Sequence, residues 1–442
     1  MIGVAGSAHP VRLRRPRQGS DFELLRASAL GVAVGVGTAA VVAFAQVPPL
    51  LLVMVPVGLA VAFAVFASSA AAAVLLGLSI PEITDVTGGH LGLHVAASDV
   101  LLVLVGLRLV AEEAAQGGLG VVRALRPVRL PFIQYGWLIL VLLALHPGFD
   151  SAVKSFQRFE LFGLPLLAGA YFAMRGQHML VLRAYVLATA ALAVTWPILR
   201  SHGLAAQLPK NTTGQLIACA IVLLVAVPAL RRLLWCIPPL LLGLALTASR
   251  GSVLAVVVGV LVLSIMAVGP SRRVILTRTA IIVLTGVILY QAVPSADTAR
   301  LTSLTGSAGT SGAYNIQIRF DYAHDAEQLI AAHPWTGVGV GNYLAGDPHL
   351  GTQTTDPHDV VLLEAAEGGY VFAASFVLMI LGAAAVLWRL RRSEFAAAAV
   401  AVLLATVAHG LVDVYWVRGL PVLGFLLVGM ACGLVAKQRA RA

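Results

Sequence analysis

Apolar runs of roughly 15–20 residues, the length a helix needs to cross a bilayer core, recur from Ala27 to Ala436 with short polar stretches between them. The pattern predicts spans near residues 27–45, 49–67, 69–81, 97–112, 132–146, 159–174, 180–198, 213–230, 233–247, 251–268 and 274–293, then 361–388, 395–411 and 418–436. The third is short and suits a re-entrant element, so about 12–14 transmembrane helices are expected. Only one long polar segment breaks the series, Pro294–Pro357. The fold class that follows is an all-α polytopic membrane protein. Its expected parts are an N-terminal segment 1–26, a helical bundle 27–293, one long loop 294–357, C-terminal transmembrane helices 358–436 and a tail 437–442.

Composition agrees with this reading. The 442 residues are 59% hydrophobic and 11% charged, with a mean hydropathy of +0.91, whereas a soluble domain carries about a quarter charged residues. The net charge of +10 could suggest nucleic acid, but the basic residues form no single patch. They cluster between the apolar runs, as membrane topology requires, so the partner implied is a lipid bilayer and no nucleic acid. With the N-terminus inside, Arg12, Arg14, Arg15, Arg17 and Arg26 share the inner side with Arg108/Arg123/Arg126/Arg129, Arg175/Arg183, Arg231/Arg232, Arg272/Arg273/Arg278, Arg389/Arg391/Arg392 and the tail with Lys437, Arg439 and Arg441. The alternate loops hold Glu82/Asp85, Asp150/Lys154/Arg158, Arg200/Lys210, Arg250 and the long segment. An even number of spans with both termini cytoplasmic satisfies the positive-inside bias and puts the long loop outside. Ala43-Phe44-Ala45 resembles a signal-peptidase site, but the spans that follow favour an uncleaved first helix. Cys219, Cys236 and Cys432 lie in or beside apolar spans and support neither a disulfide framework nor a zinc site.

Chemistry is therefore sought on the outer side. Asp356-Pro357-His358-Asp359 ends the long loop and reads as a helix start, with Asp356 as N-cap, Pro357 at the first helical position and Asp359 in the first turn. A neutral His358 at the positive end of that helix can accept a proton. Arg250 occupies a tight turn, Thr247–Ser252, between two apolar helices. It reads either as an arginine snorkelling from a helix end or as a guanidinium beside free N–H groups, a favourable place for phosphate. Gly251 would let another group approach, and Ser249 or Ser252 can cap the next helix. Ile318–Glu327 is compatible with a helix. The glycines of Gly337-Val338-Gly339-Val340-Gly341 have the wrong spacing and follow no strand, so they are no dinucleotide fingerprint and read as a connector folding the loop back. Glu367, inside an apolar span, is costly to bury and needs a partner. His146, His202, His409 and Asp413 sit at outer span ends and are assigned nothing beyond cavity lining. Arg158 and Arg200 read as interfacial anchors.

Together these segments resemble the O-antigen ligase and polymerase superfamily of bacterial envelope glycan assembly. Ser249-Arg250-Gly251 is similar to its external S-R-G turn. Arg319, His333-Pro334 and Gly337-x-Gly339-x-Gly341-Asn342 are similar to its arginine followed by H-P-x-x-G-x-G-x-G-N. His358-Asp359-x-x-Leu362 with Glu367-x-Gly369 is similar to its H-[N/S]-x-x-L-x-x-x-x-E-x-G motif. Ser98-Asp99 and Asn211-x-x-Gly214 are weaker echoes. Asp359 departs from the usual Asn or Ser, and Ala323 stands where the family often has Trp.

The resemblance implies a GT-C-like glycosyltransferase architecture in the cytoplasmic membrane with an extracytoplasmic active site. It implies an undecaprenyl-diphosphate-linked glycan donor and a glycan or glycolipid acceptor. On that reading His358 is the base, and Arg250 and Arg319 bind the leaving diphosphate. Lys210, Asn211, Asn342 and Glu367 are the candidate substrate-binding residues. No cofactor is implied, and the family is similar in being metal-independent. No Asp-x-Asp pair occurs in the chain, although Asp356, His358 and Asp359 could together hold a cation. A ligase joining a finished polymer to a different acceptor, a polymerase joining repeat units, and a lipid-linked oligosaccharide transporter or flippase all remain open. A transporter would be expected to show an internal repeat, and none is seen.

Overall fold

A computed structural model describes residues 49–81, 95–118, 120–201, 209–266, 270–290, 311–346, 356–391, 393–417 and 419–441. Among these residues the regular structure is helical throughout, without strands, as the span pattern requires. Several expected features lie outside the described residues: the segment Met1–Arg26, the span at 27–45 with Ala43-Phe44-Ala45, Glu82, Asp85, the side chain of Arg200, His202, residues 294–310 and 347–355 of the long loop, and Arg392.

The chain divides into two compact units, Met1–Ser68 and Ser69–Ala442. In the first, helix α1 (Pro49–Ala67) carries no charged residue. The second unit runs through α2 (Ser69–Ser79), α3 (Ala97–Gln116), α4 (Gly120–Ala124), α5 (Arg129–Leu145), α6 (Phe149–Arg175), α7 (His178–Ser201) and α8 (Lys210–Ala226). A 3-10 segment (Pro228–Cys236) leads to α9 (Ile237–Thr247), α10 (Arg250–Met266), α11 (Pro270–Tyr290), α12 (Ser311–Ala332), α13 (Tyr343–Gly346), α14 (Val360–Arg389), α15 (Glu394–Gly410) and α16 (Val422–Arg439).

By length and composition, four described segments can cross a membrane: His178–Leu199, Pro228–Thr247, Val360–Arg389 and Val422–Arg439. Shorter apolar helices accompany them, including α2, α5, α8 and α10. At 1.5 Å per residue α2 is only about 16 Å long, too short to cross alone. The surface is that of a multi-pass membrane protein. Ile133, Trp137 and Leu140 on α5 are 62%, 64% and 57% exposed, and Val257, Leu261 and Ile265 on α10 are 57%, 57% and 60% exposed. These spacings of three and four residues make apolar stripes suited to lipid. By contrast α8, apolar all round, is buried from Thr212 to Ala226 and forms the centre of the bundle.

The long helix α6 sets the two ends of the bundle. Its first turns meet the loop region through Ser151, Lys154 and Arg158. About 40 Å away, by helix rise, Arg175 pairs with Glu112 of α3, and Arg108 shares that carboxylate at 2.7 Å. Lys437 lies beside Gly176 at the same end. Three basic residues expected on one side thus gather at one end, away from His358.

Helix α6 packs along α16 at backbone distance. A Cβ on Gly429 would lie 2.0 Å from the Leu166 carbonyl oxygen, and one on Gly433 would lie 2.6 Å from that of Ala170. Small residues permit this approach where dispersion, rather than water exclusion, drives association. Gly429→Leu is expected to destabilise the bundle by roughly 1–3 kcal/mol, as overpacking does. Thermal unfolding in detergent, followed by circular dichroism, would register a lower midpoint.

Candidate functional site

The site is built where α14 begins. The structure moves that start three residues beyond the expected one. Asp359, not Asp356, is the N-cap, and its Oδ1 accepts from Val361 N–H at 2.8 Å and Leu362 N–H at 3.1 Å. Asn and Ser cap helices as Asp does, so the departure from the family pattern keeps the capping function. His358 stands just before the cap in the left-handed region at φ 57°. Asp356 Oδ1 accepts the His358 N–H at 2.6 Å and holds this turn.

Inside α14, Gly369 is non-helical at φ 73°, ψ −179°, a break the apolar pattern does not reveal. An unbroken helix would send Tyr370 N–H to Ala366 C=O and Val371 N–H to Glu367 C=O. Instead Tyr370 N–H donates to Pro334 C=O at 2.8 Å. The freed Ala366 C=O accepts from Val338 N–H at 3.0 Å, and the Glu367 C=O from Gly339 N–H at 2.8 Å. The glycine-rich connector therefore supplies the hydrogen bonds the helix gave up. Gly337, with φ 59°, lies so close that a Cβ would sit 2.2 Å from the Glu367 carbonyl carbon.

The connector also touches α6. Asn342 Nδ2 donates to Ser151 Oγ at 3.0 Å and to Val338 C=O at 3.1 Å. Gly341 N–H donates to Glu367 Oε1 at 2.9 Å. Arg158, expected at the interface, is instead 5% exposed. Its Nη2 meets Glu367 Oε2 at 2.6 Å, and its Nη1 lies 3.5 Å from Glu364 Oε1. Glu364 also accepts from Tyr135 Oη at 2.9 Å and from Trp416 Nε1 at 2.6 Å. Asn342 and Glu367 thus brace the loop against the bundle.

A second cluster forms around Asp413, which follows α15. Arg319 Nη2, on α12, pairs with Asp413 Oδ2 at 2.9 Å. Asn211 Nδ2, at the start of α8, donates to the same oxygen. His358 Nδ1 lies 3.6 Å from Asp413 Oδ1, and Tyr322 packs at 5.8 Å between ring centroids over the imidazole. Burial works against ionising Asp413, yet His358, His409 and Arg319 together hold its carboxyl below the usual range. Burial pushes the Asp356 carboxyl up to about 7 although the His358 charge and N–H oppose it.

Arg250 opens α10 beside this cluster. Ser249 Oγ accepts from Ser252 N–H at 3.3 Å, as a cap should. A Cβ on Gly251 would lie 3.0 Å from the buried His409 ring, so the close approach expected of Gly251 is made by His409. The Ser252 hydroxyl donates to Asn211 C=O at 3.3 Å, which ties the Arg250 turn to α8. Lys210, next to Asn211, is exposed.

Of the residues selected from sequence, His358, Arg319 and Asn211 converge on one carboxylate. Arg250 precedes Gly251, which packs on the His409 ring, while Asn342 and Glu367 belong to the Arg158 side of the site. Asp413, expected only to line a cavity, is the centre of one cluster, and Glu364, which the motifs do not mark, belongs to the other. The signal for Glu364 was available, since two carboxylates three residues apart in an apolar span demand a buried cation. Between the two clusters lies a cavity of about 320 Å³, lined by Asp99, Lys154, Arg158, Glu160, Asp356, Glu367, Val414 and Trp416 among others. Among the described residues no group of three or more His, Cys, Asp or Glu is placed to hold a metal. Asp356 and Asp359 are committed to backbone N–H groups on either side of His358.

Residues 233–377, which include Arg250, Arg319, the glycine connector and His358, match the family model described as O-Antigen ligase. This segment is similar to the O-antigen ligase superfamily. No curated protein matches it. The ligase-family segment stops short of Asp413 and begins after Arg158 and Asn211. Both polar clusters are therefore completed by side chains from outside it.

Removing the cation from a buried ion pair leaves charge uncompensated. Arg158→Met should cost about 3–5 kcal/mol, and Arg158→Met combined with Glu367→Gln less than the sum of the two. Denaturant titration in detergent checks this. For Asp356 the folded carboxyl sits near 7 and the unfolded one near 3.9. Its contribution to stability is therefore lost as pH rises between those values and fully gone above about 7. Asp356→Asn should flatten that fall in a pH series of unfolding midpoints.

Proposed function

We propose that this protein transfers a glycan from an undecaprenyl-diphosphate-linked donor to an acceptor hydroxyl at the extracytoplasmic face of the cytoplasmic membrane. Glycosyl transfer of the ligase or polymerase type is the general activity of that superfamily. The observation that carries the finer reading is the meeting of Arg319 and His358 on Asp413, with the Arg250 turn beside them.

The acceptor oxygen attacks the anomeric carbon as the bond from that carbon to the diphosphate oxygen breaks. The acceptor loses a proton, and the diphosphate departs with the bonding pair. His358 takes the proton. Asp413, facing Nδ1, favours the tautomer with hydrogen there and leaves Nε2 as the acceptor. Arg319 has donors beyond the one spent on Asp413, and its side chain is 43% exposed. It and Arg250 bind the charge that grows on the leaving diphosphate, which a planar guanidinium matches in shape. Lys210 adds a third positive charge at the same end. Asn211 holds the carboxylate that orients His358 and Arg319.

The test supplies purified protein in nanodiscs with lipid-linked donor and defined acceptors. His358→Ala, Arg250→Ala and Arg319→Ala should each lower transfer by roughly 100-fold or more, the range for loss of a general base or a leaving-group donor. Transfer retained in all three would refute the assignment. A polymerase would extend the donor's own repeat, whereas a ligase would require a different acceptor.

A further inference from the structure

The cavity between the two clusters has a chemistry that the proposed transfer leaves unused. Four carboxylates line it, from Asp99, Glu160, Asp356 and Glu367, against two cations, Lys154 and Arg158. Arg158 is already paired with Glu364 and Glu367, so the wall presents carboxyl groups and no uncommitted guanidinium. Glu160 is 4% exposed, and its Oε1 has no hydrogen-bond partner. A buried carboxyl oxygen without a partner is costly, and a ligand hydroxyl would supply one. The volume, about 320 Å³, falls in the range of small-molecule sites, roughly 300–1,000 Å³. The wall adjoins the reacting groups. Asp356 accepts the His358 N–H at 2.6 Å, and the Val414 N–H donates to Asp413 Oδ1 at 2.9 Å.

We propose that this cavity holds an uncharged, hydroxyl-rich sugar of the acceptor, its hydroxyls hydrogen-bonding to Glu160 and neighbouring carboxyl groups. The inference rests on the transfer reaction proposed above. Carboxyl groups bond to hydroxyls, whereas an anion buried here would meet no uncommitted guanidinium to offset its lost hydration, so phosphorylated sugars and uronic acids are excluded and the diphosphate keeps to the arginines. Specificity for a neutral acceptor then comes from this wall, while the arginines recognise the donor. A site built to bond hydroxyls rejects analogues that cannot supply them.

Two measurements test it. Saturation-transfer NMR on the protein in deuterated detergent uses methyl glycosides of a neutral hexose, an N-acetylhexosamine and a hexuronic acid. The neutral glycosides should bind and the hexuronate should not. Glu160→Gln, which keeps the shape of the wall, should weaken the neutral ones by about tenfold, the loss of one buried hydrogen bond. In the transfer assay the same variant should raise the acceptor KM by a similar factor while leaving the donor KM unmoved. Equal binding of the hexuronate, or no binding of any neutral glycoside, overturns the proposal. So does a donor KM that rises instead, or a lowered unfolding midpoint with glycoside binding intact. Absence of transfer by the unaltered protein would refute the reaction, and the glycoside binding would still judge the cavity.

Discussion

Everything at the loop end of the bundle depends on one buried guanidinium. Arg158 sits between Glu364 and Glu367, and each of the four carboxylate oxygens has a donor: Arg158 and Trp416 on one Glu364 oxygen, Tyr135 on the other, and Arg158 and the Gly341 N–H on those of Glu367. Three charges in an apolar interior would be prohibitive singly, and they persist because opposite charges meet and each carboxylate oxygen has a donor. The cluster ties α5, α6 and α14 to the loop and to the turn after α15. The Arg158 guanidinium also lies 5.3 Å from the Trp416 ring and 5.7 Å from the Phe372 ring, which closes its remaining faces.

That anchorage gives His358 and Arg319 their positions. The apolar side of α12 packs through Ala326, Leu329 and Ile330 against Leu363 and Ala366 of α14, with Tyr343 alongside. Arg319 is then carried to Asp413, and the cap at Asp359 fixes the residue before it, His358. Asp413 is the point of exchange, because a carboxylate facing an imidazole and a guanidinium organises both without blocking either. The buried braces thus fix the half-exposed candidate groups set on them.

How much of this is legible in the chain depends on the range of the interaction. Apolar runs dictate the helices, since a helix satisfies its own backbone in lipid, and the motif residues His358, Arg250 and Arg319 stand out because polar chemistry is rare here. The start of α14 was misplaced by three residues because Asp356, Pro357 and Asp359 all carry N-terminal preferences, and only tertiary contacts choose among them. The break at Gly369 is invisible to hydropathy. Arg158 read as an anchor because its neighbours are polar, whereas its partners lie more than 200 residues away. Asp413 was undervalued for the same reason.

The exchange of hydrogen bonds at Gly369 has a consequence for assembly. Ala366 and Glu367 offer carbonyls that no N–H of their own helix satisfies, and lipid has none to lend. The upper part of α14 is therefore incomplete as a membrane helix until residues 334–339 reach it. Those residues precede α14 in the chain, so they are synthesised first and must wait for their partner. Biogenesis of this region is thus a joint event, in which the connector and the helix finish folding only on each other.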